Sequence, residues 1–344
     1  MLRVGVLGCG AIGAWHARIV DEHPGATLAA VCDLRQDLAE AAAYGAEVYR
    51  DPDRLFAEAG LDAVIIATPE GAHIDNAKAA AAAGCAMLVE KPVAIDPAGV
   101  DAIIDAAQAA DVILMAGHVE RFETGSAQLV DAVRQGVCGR LASLCARRQF
   151  APGEAARFTG RSTTVRVLGV HDFDLVRWVH PAEVTSVYAC GVEGSIFDQT
   201  GLHDHVFTTI RFADGVVASV ESAWTLPPAY AAWSRPTGWS PAGNNRLDVF
   251  GADGFISNDM GLRTQQLVAF DTAEGFRAGG IRHQSIVHGR VTGALVAEVA
   301  HFLDCVREGT PPLVGGIDAK RAIALTDAAE RSLKSGQPVS PVAV

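Results

Sequence analysis

Apolar and polar residues follow two different patterns along the chain. In the first 120 residues, short apolar runs rich in β-branched residues alternate with Ala-rich segments that have helical spacing. The runs are Leu2–Leu7, Thr27–Cys32, Ala63–Ala67, Met87–Glu90 and Val112–Ala116, and the helical segments are a stretch ending at His23, Arg35–Ala43 and Ile74–Ala83. Strands that alternate with helices predict right-handed crossovers and a doubly wound parallel sheet.

Past Phe122 the pattern changes to a helix at Gly125–Arg134 followed by strands with period-two alternation. These strands are Leu141–Gln149, Thr185–Cys190, His205–Phe212 and Val216–Trp224, and turn residues separate them. The segment from Pro227 to Asn245 has no period and is rich in Pro, Trp and Gly, which favours a loop or lid. Amphipathic helices are expected at Gly293–Arg307 and Asp318–Ser335. The pattern predicts an α/β protein: residues 1–120 form the parallel-sheet domain, and 121–344 form an α+β domain with an open, mainly antiparallel sheet.

Composition narrows the classes of partner. The 344 residues include 28 Lys and Arg against 40 Asp and Glu, a net charge of −12, so nucleic acid and anionic membranes are poor partners. Apolar stretches are too short to span a bilayer, and the chain starts directly with a predicted strand. Its seven scattered cysteines form no CxxC pair, which is typical of reduced thiols. We therefore expect a cytoplasmic protein.

A glycine motif follows the first predicted strand. Gly8, Gly10 and Gly13 form GxGxxG where a strand gives way to a helix, the context in which this motif binds dinucleotides. The glycines permit a tight turn and close approach of a pyrophosphate, whose charge the helix N-terminus attracts. The whole turn is a candidate cofactor site, including the three residues between the glycines, Cys9, Ala11 and Ile12. A glycine turn without a ligand is the alternative interpretation.

Asp33 lies twenty residues beyond Gly13, at the end of the second predicted strand. A carboxylate there accepts hydrogen bonds from the adenosine ribose hydroxyls and repels a 2′-phosphate, so NAD is the expected cofactor. Arg35 could instead clamp a 2′-phosphate, which leaves NADP as the less favoured choice. An Asp at a strand end also commonly caps a helix.

Several further motifs occur together in one order. They are Ala67-Thr68-Pro69, His73, Glu90-Lys91-Pro92, GHVERF at 117–122, GVHDFDLVRW at 169–178, RFADGVVASVESAW at 211–224 and EVAHFLDCVREG at 298–309. Together with GxGxxG they resemble the Gfo/Idh/MocA family, named for glucose-fructose oxidoreductase, inositol dehydrogenase and a rhizopine-catabolism protein. The resemblance covers nearly the whole chain.

The resemblance implies an N-terminal Rossmann domain, a C-terminal domain whose open sheet serves as an oligomer surface, and hydride transfer between NAD and a carbinol or ketone carbon. The substrate would be a polyhydroxylated small molecule: a sugar, cyclitol or nucleotide sugar. A homodimer or homotetramer is expected. The resemblance also implies that the strand-end residues Thr68, Pro69, His73, Glu90 and Lys91 line the cofactor site.

Hydride transfer from an alcohol needs a group that takes the hydroxyl proton and one that steadies the oxygen. Lys91 and His171 match the family positions for these tasks. A partly desolvated lysine near a positive nicotinamide is expected to have a lowered pKa. Asp174, three residues after His171, would share its helix face and orient the ring or bind substrate. Arg121 either meets substrate or cofactor, or forms a structural ion pair.

One position departs from the family pattern. Many sugar and cyclitol oxidisers carry Asp four residues before the histidine, whereas this chain has Val167. Either His171 works without that acid, or the substrate is not the usual diol, or the activity has been redirected. Val167 is still expected to border the substrate.

Two other features have competing interpretations. His203 and His205 flank one residue, as metal ligands can, but no further ligand motif accompanies them, and no metal is expected. They could face substrate or a neighbouring subunit. Trp224, Trp233 and Trp239 are either core or lid residues that could stack on a sugar ring.

Two other functions stay open at this point. An imine or amino-acid reductase could use the same scaffold, and Val167 makes that alternative more tenable. A catalytically silent NAD-binding protein is the other, although the presence of both Lys91 and His171 argues against it.

Overall fold

The chain folds into two compact units. The computed structural model describes residues 1–226, 243–260, 268–271, 275–278 and 285–344. The first unit comprises Met1–Phe122 and Ile286–Ile323, and the second comprises Glu123–Ser285 and Ala324–Val344.

The first unit is built on a six-stranded, fully parallel sheet in the order β3-β2-β1-β4-β5-β6. Its strands are β1 (Leu2–Leu7), β2 (Ala26–Cys32), β3 (Glu47–Tyr49), β4 (Ala63–Ile66), β5 (Ala86–Glu90) and β6 (Leu114–Gly117). The helices that follow successive strands are α1 (Ala11–Glu22), α2 (Gln36–Ala42), α3 (Pro52–Glu58), α4 (His73–Ala82) and α5 (Pro97–Ala109). The predicted doubly wound sheet is confirmed.

The strand order places a topological switch beside β1. The chain passes from β1 to β2 on one side of β1 and later returns to β4 on its other side. The connections that follow β1 and β4 therefore lead away in opposite directions, which opens a crevice at the carboxyl ends of these two strands. Ligands of open α/β sheets bind at such a point. Every residue of β4 and β5 is buried, which explains why these strands are continuously apolar up to Glu90. The polar residues at the strand ends therefore stand at the edge of a rigid core.

A late segment of the chain completes the first unit. Helix α10 (Ala294–Glu308) buries Leu295, Val299 and Phe302 in the same apolar core as β1 and α1. Contacts therefore assign 286–323 to the first unit, whereas the boundary predicted from sequence gave all of 121–344 to the second domain. The amphipathic face of α10 was visible in the sequence, but its partner was not.

The second unit contains a six-stranded sheet in the order β12-β11-β7-β10-β9-β8. Its strands are β7 (Leu141–Gln149), β8 (Val184–Val192), β9 (His205–Phe212), β10 (Val217–Ala223), β11 (Asn244–Gly251) and β12 (Phe255–Asp259). Neighbouring strands are antiparallel except β7 and β10, which are parallel. The predicted, mainly antiparallel sheet is confirmed, with this one parallel pair as an addition.

Helices cover one face of this sheet. They are α6 (Thr124–Arg134), α8 (Val170–Val179) and the second half of α11 (Gly316–Ser335), and a short π-helix (Val165–Gly169) leads into α8. The opposite face exposes alternate residues, among them Tyr188, Phe207 and Phe255. Within the described residues this face has no helical cover.

Smaller elements complete the chain. They are α7 (Pro152–Ala155), α9 (Ser195–Thr200), β13 (Val268–Asp271), β14 (Gly275–Ala278), β15 (Ser285–Val287) and β16 (Arg290–Thr292). The lid predicted for Pro227–Asn245, with Trp233 and Trp239, lies largely outside the described residues, and its last two residues already belong to β11. No described helix has both the length and the apolar character needed to cross a membrane.

Candidate active site

The glycine turn after β1 is packed as tightly as its sequence motif suggests. Gly8 has φ +92°, and a Cβ there would lie 2.6 Å from the backbone of Ala67 and Thr68. A Cβ on Gly13 would lie 1.8 Å from the Gly8 carbonyl oxygen. Gly10 instead faces open space, with no atom within 4 Å of its Cβ position. Two glycines thus allow the turn to close against β4, and the third leaves room for a ligand.

Helix α1 begins directly beyond this turn. Ala11 is its first residue and is exposed, while Ile12 packs on the core of the unit. Among the described residues no side chain caps the helix at Gly10. Its first backbone amides therefore point toward the space above Gly10, where an anion would be stabilised.

Asp33 is held by two backbone amides. Its Oδ2 accepts a hydrogen bond from the N–H of Cys9 at 2.7 Å, and its Oδ1 accepts one from the N–H of Arg35 at 2.9 Å. The carboxylate is therefore oriented beside the glycine turn. The Arg35 guanidinium is paired with the exposed Asp37 at 2.6 Å. This pair raises the pKa of Arg35 and lowers the pKa of Asp37 through their mutual hydrogen bond.

The loop after β4 is fastened by His73. The ring Nε2 lies 2.7 Å from the Thr68 carbonyl oxygen, and Nδ1 lies 3.1 Å from that of Pro92. Asn76 donates a hydrogen bond from Nδ2 to the Thr68 hydroxyl at 3.1 Å. Pro69 is exposed at the start of a short 3-10 turn. Both ring nitrogens of His73 thus lie against protein carbonyls and link the loops after β4 and β5.

Glu90 ends β5 with a buried carboxylate. Its Oε1 accepts a hydrogen bond from His16 Nε2 at 2.8 Å, and its Oε2 accepts one from the backbone N–H of Lys91 at 3.1 Å. Burial alone would raise the pKa of Glu90, but the His16 hydrogen bond and the nearby Lys91 hold it below its usual range. Lys91 itself is half-buried.

His16, Glu90 and Glu298 form the one group within the described residues that could hold a metal ion, with ligand atoms within 4.8 Å of one another. The geometry favours a hydrogen bond instead. Ligand atoms around a tetrahedral zinc lie about 3.3 Å apart, given bonds of roughly 2.0 Å. His16 Nε2 and Glu90 Oε1 are 2.8 Å apart, the ordinary separation of an N–H···O hydrogen bond.

Arg121 is buried in a 3-10 turn and pairs with Asp318 at 3.2 Å, both within the first unit. Of the two roles predicted for it, the structure displays the ion pair.

The second unit carries His171, Asp172 and Asp174 on the first turns of α8. His171 is half-buried, whereas both aspartates are buried. The i to i+3 spacing places His171 and Asp174 on one side of the helix, as the sequence predicts. Asp172 faces elsewhere, toward β7.

Arg148 of β7 fixes the start of this helix. Its Nε and Nη2 donate to the two carboxylate oxygens of Asp172 at 3.0 and 3.1 Å, and both residues are buried. Such a bidentate pair fixes the relative orientation of the two side chains and is stronger than a neutral hydrogen bond. No sequence motif pointed to this pair, which holds the neighbour of His171.

Val167 lies in the π-helix and is 7% exposed. It belongs to an apolar cluster with Leu168 and Trp224, against which Phe150 and Phe158 pack. Trp224 is 1% exposed and donates from Nε1 to the Thr164 hydroxyl at 3.1 Å. Trp224 is therefore a core residue rather than part of a lid.

Acidic side chains lie close to each histidine in the segment around His203. His205 opens β9 and pairs with Glu221 at 2.9 Å, and His203 precedes the strand near Glu193 at 3.6 Å. The Asp204 carboxylate accepts hydrogen bonds from three backbone amides of 194–197. These hydrogen bonds outweigh burial and lower the pKa of Asp204. The two histidines thus have separate acidic partners.

The predicted residues fall into two groups. The glycine turn, Asp33, Thr68, His73, Glu90 and Lys91 gather at the strand ends of the first unit, whereas Val167, His171 and Asp174 lie on one helical stretch of the second. Sequence reasoning missed His16, Asn76, Arg148 and Glu298. For His16 the one available signal in the sequence was a histidine among the apolar residues of the first predicted helix.

Comparisons with known proteins match both units of the chain to one family of oxidoreductases. Residues 2–118 match the model described as "Oxidoreductase family, NAD-binding Rossmann fold", and 126–257 match the "GFO/IDH/MocA C-terminal domain". The chain is 30% identical to myo-inositol 2-dehydrogenase of Thermotoga maritima over 98% of both chains. It is 31% identical to scyllo-inositol 2-dehydrogenase (NAD(+)) of Bacillus subtilis, over 98% of this chain and 96% of that one. A crystal structure of a putative myo-inositol dehydrogenase from Sinorhizobium meliloti aligns with TM-score 0.81 and 28% identity, covering 99% and 100% of the two chains.

Proposed function

The chain belongs to the Gfo/Idh/MocA family of NAD-binding oxidoreductases, and on that premise we propose that it is a dehydrogenase of secondary alcohols on cyclitols or sugars. The observation that carries the proposal is a dinucleotide cradle, made by the glycine turn and Asp33, in the same unit as a Lys91 whose backbone is anchored to Glu90. Relatives with inositol dehydrogenase names support the choice of substrate class.

The residues of the cradle fit NAD. The uncapped amides at the start of α1 and the space above Gly10 would receive the pyrophosphate. Asp33 would accept hydrogen bonds from the adenosine ribose hydroxyls. Thr68 and Pro69 would contact the cofactor near the nicotinamide, and His73 would support them from behind. Bound NAD supplies the hydride acceptor for oxidation of the alcohol.

We assign the proton chemistry to Lys91 and His171. Lys91 would steady the reacting oxygen, and His171 would take the hydroxyl proton during oxidation and return it during reduction. Asp174 would orient the imidazole or bind a substrate hydroxyl from the same helix. Arg121, given its pair with Asp318, would support the site rather than contact substrate.

The substrate pocket would differ from that of enzymes with an acid at position 167. Val167 offers no hydrogen bond, so a substrate with a hydrogen or methyl group at the carbon facing it would fit better than one with a hydroxyl. A cyclitol or sugar with fewer hydroxyls is therefore a better candidate than a fully hydroxylated ring.

We further propose that the protein is a cytoplasmic homo-oligomer, a dimer or tetramer. The uncovered face of the second-unit sheet carries aromatic residues, Tyr188, Phe207, Phe250 and Phe255, which are at least 37% exposed. Apolar residues gathered on an exposed sheet face favour association with a second copy.

The test is an assay of NADH formation with a panel of inositol isomers, deoxyinositols and sugars, each with NAD and with NADP. The proposal predicts NAD-dependent oxidation of at least one cyclitol or sugar. Turnover of imines or amino acids alone, or tight NAD binding without any turnover, would reject it.

A further inference from the structure

Glu90 is the point where four elements of the first unit meet. The residue ends β5, and its carboxylate lies over Gly117 of β6, where a Cβ would be 3.3 Å from Glu90 Cδ. His16 reaches it from α1, and Glu298 of α10 brings a second carboxylate within 4.8 Å. A Cβ at 117 would also lie 3.1 Å from the Glu90 Cα, so a larger residue at 117 would crowd the buried Glu90.

Both Glu90 oxygens have assigned partners. One oxygen accepts from His16 and the other from the backbone N–H of Lys91, at 2.8 and 3.1 Å. A carboxylate is planar, so fixing one oxygen orients the other. The position of the Lys91 backbone is thereby coupled to the imidazole of His16, although the two residues are 75 positions apart.

We propose that His16 is a positioning residue for Lys91, acting through the Glu90 carboxylate. The inference rests on the proposed function, because it concerns the residue assigned to steady the reacting oxygen. His16 would contribute little to cofactor binding but would determine the position of the Lys91 amine. Misplacement of a catalytic group by about 1 Å can lower a rate a hundredfold.

Packing alone does not explain a histidine at this position. Its neighbours on the buried side of α1 are Ala17, Ile19 and Val20, an apolar set that an apolar residue would continue. A buried imidazole is costly unless it is hydrogen-bonded. Its hydrogen bond goes to the residue that holds Lys91.

The lysine content of the chain permits a direct readout. There are four lysines, Lys78, Lys91, Lys320 and Lys334. Reductive methylation with ¹³C-formaldehyde gives each an NMR signal, and the signal missing in Lys91→Arg identifies Lys91. The measurement needs no turnover, so it reports on His16 even if no tested alcohol is a substrate.

Three variants are compared with the wild type. His16→Leu removes the donor to Glu90, whereas His16→Gln can place an amide N–H near the Nε2 position. His301→Leu is the matched control, because His301 accepts a hydrogen bond from the Leu313 N–H elsewhere in the unit. We expect the Lys91 signal to move in His16→Leu, to return toward its original position in His16→Gln, and to stay unchanged in His301→Leu.

Kinetics with the best substrate of the panel supply the second readout. We expect kcat to fall about tenfold to a hundredfold in His16→Leu, with NADH affinity within about threefold of wild type and partial rescue in His16→Gln. An unchanged Lys91 signal in His16→Leu, or equal shifts in all three variants, would overturn the proposal. If His16→Leu does not fold, His16→Asn replaces it, since the shorter amide stays polar but falls short of Glu90. If no substrate turns over, the proposed function fails and the NMR comparison still decides the role of His16.

Discussion

The backbone N–H of Cys9 donates a 2.7 Å hydrogen bond to the Asp33 carboxylate, which ties the glycine turn after β1 to the residue after β2. Because the carboxylate is fixed there, it can accept hydrogen bonds from the ribose hydroxyls of NAD but would repel the 2′-phosphate of NADP. We expect the affinity for NAD to exceed the affinity for NADP by about tenfold or more. Fluorescence titration of the two reduced cofactors measures the ratio.

Two variants separate Asp33 from Arg35. Asp33→Ala should weaken NADH binding and reduce the preference for it. Asp37→Ala should free the Arg35 guanidinium and strengthen NADPH binding modestly, while NADH binding stays the same. Equal affinities for both cofactors in the wild type would contradict the role given to Asp33.

Lys91→Ala should separate binding from rate. We expect NAD affinity to stay nearly intact and kcat to fall about a hundredfold or more, the usual contribution of an acid-base or polarising contact. Lys78→Ala is the control, since Lys78 is exposed on α4. Turnover within a factor of about two of wild type in Lys91→Ala would make Lys91 structural.

The buried pair of Arg148 and Asp172 should matter for stability as well as activity. Removing one partner of a buried ion pair leaves an uncompensated charge, so Arg148→Met should lower the free energy of unfolding by about 3–5 kcal/mol. Arg148→Met with Asp172→Leu should recover most of this loss. Urea unfolding of the wild type and the two variants measures the effect, and a double variant as unstable as the single one would contradict it.

Val167→Asp tests the position where the chain departs from its family. A carboxylate in the apolar cluster with Trp224 should destabilise the protein by about 2 kcal/mol or more. Val167→Thr, which keeps the shape, should cost less. A negative charge four residues before His171 should also move the acidic limb of the pH-rate profile to higher pH. An unshifted limb, together with an active His171→Ala, would remove His171 from the mechanism.

The cysteines report on both burial and association. Burial raises the thiol pKa to about 12 in Cys9 and Cys32 and to about 11 in Cys85, so these thiols stay protonated at pH 8 and should resist alkylation. Cys145 and Cys190 are exposed on the uncovered sheet face and should react first. In the proposed oligomer both should be protected at high protein concentration and become reactive on dilution. Reactivity that does not depend on concentration would argue against this face as the interface.

Local patterns in the sequence were sufficient for the turn between β1 and α1. Gly8, Gly10 and Gly13 are close in sequence, and the geometry they require is local, so the motif predicted the structure. The β7 and β9 strands were also predicted with the observed bounds, and in both strands buried residues alternate with more exposed ones. Short elements such as β3 and α3 carry too few apolar residues to show a period.

Contacts between distant segments could not be read in the same way. His16, Glu90 and Glu298 come from three elements and meet because α1, β5 and α10 pack in one core. The role of Arg148 could not be predicted either, because its partner Asp172 lies 24 positions away and no local pattern links the two residues. Val167 was predicted to border the substrate, and its place in an apolar cluster depends on Trp224, 57 positions away.

The proposed oxidation is tested by following the hydride from the substrate to the cofactor. A cyclitol or sugar that is oxidised in the assay is prepared with deuterium at the reacting carbon, incubated with enzyme and NAD, and the cofactor is analysed by mass spectrometry. We expect the reduced cofactor to carry one deuterium from the substrate and Lys91→Ala to slow this transfer about a hundredfold. Reduced cofactor without deuterium, or transfer at the wild-type rate in Lys91→Ala, would contradict it.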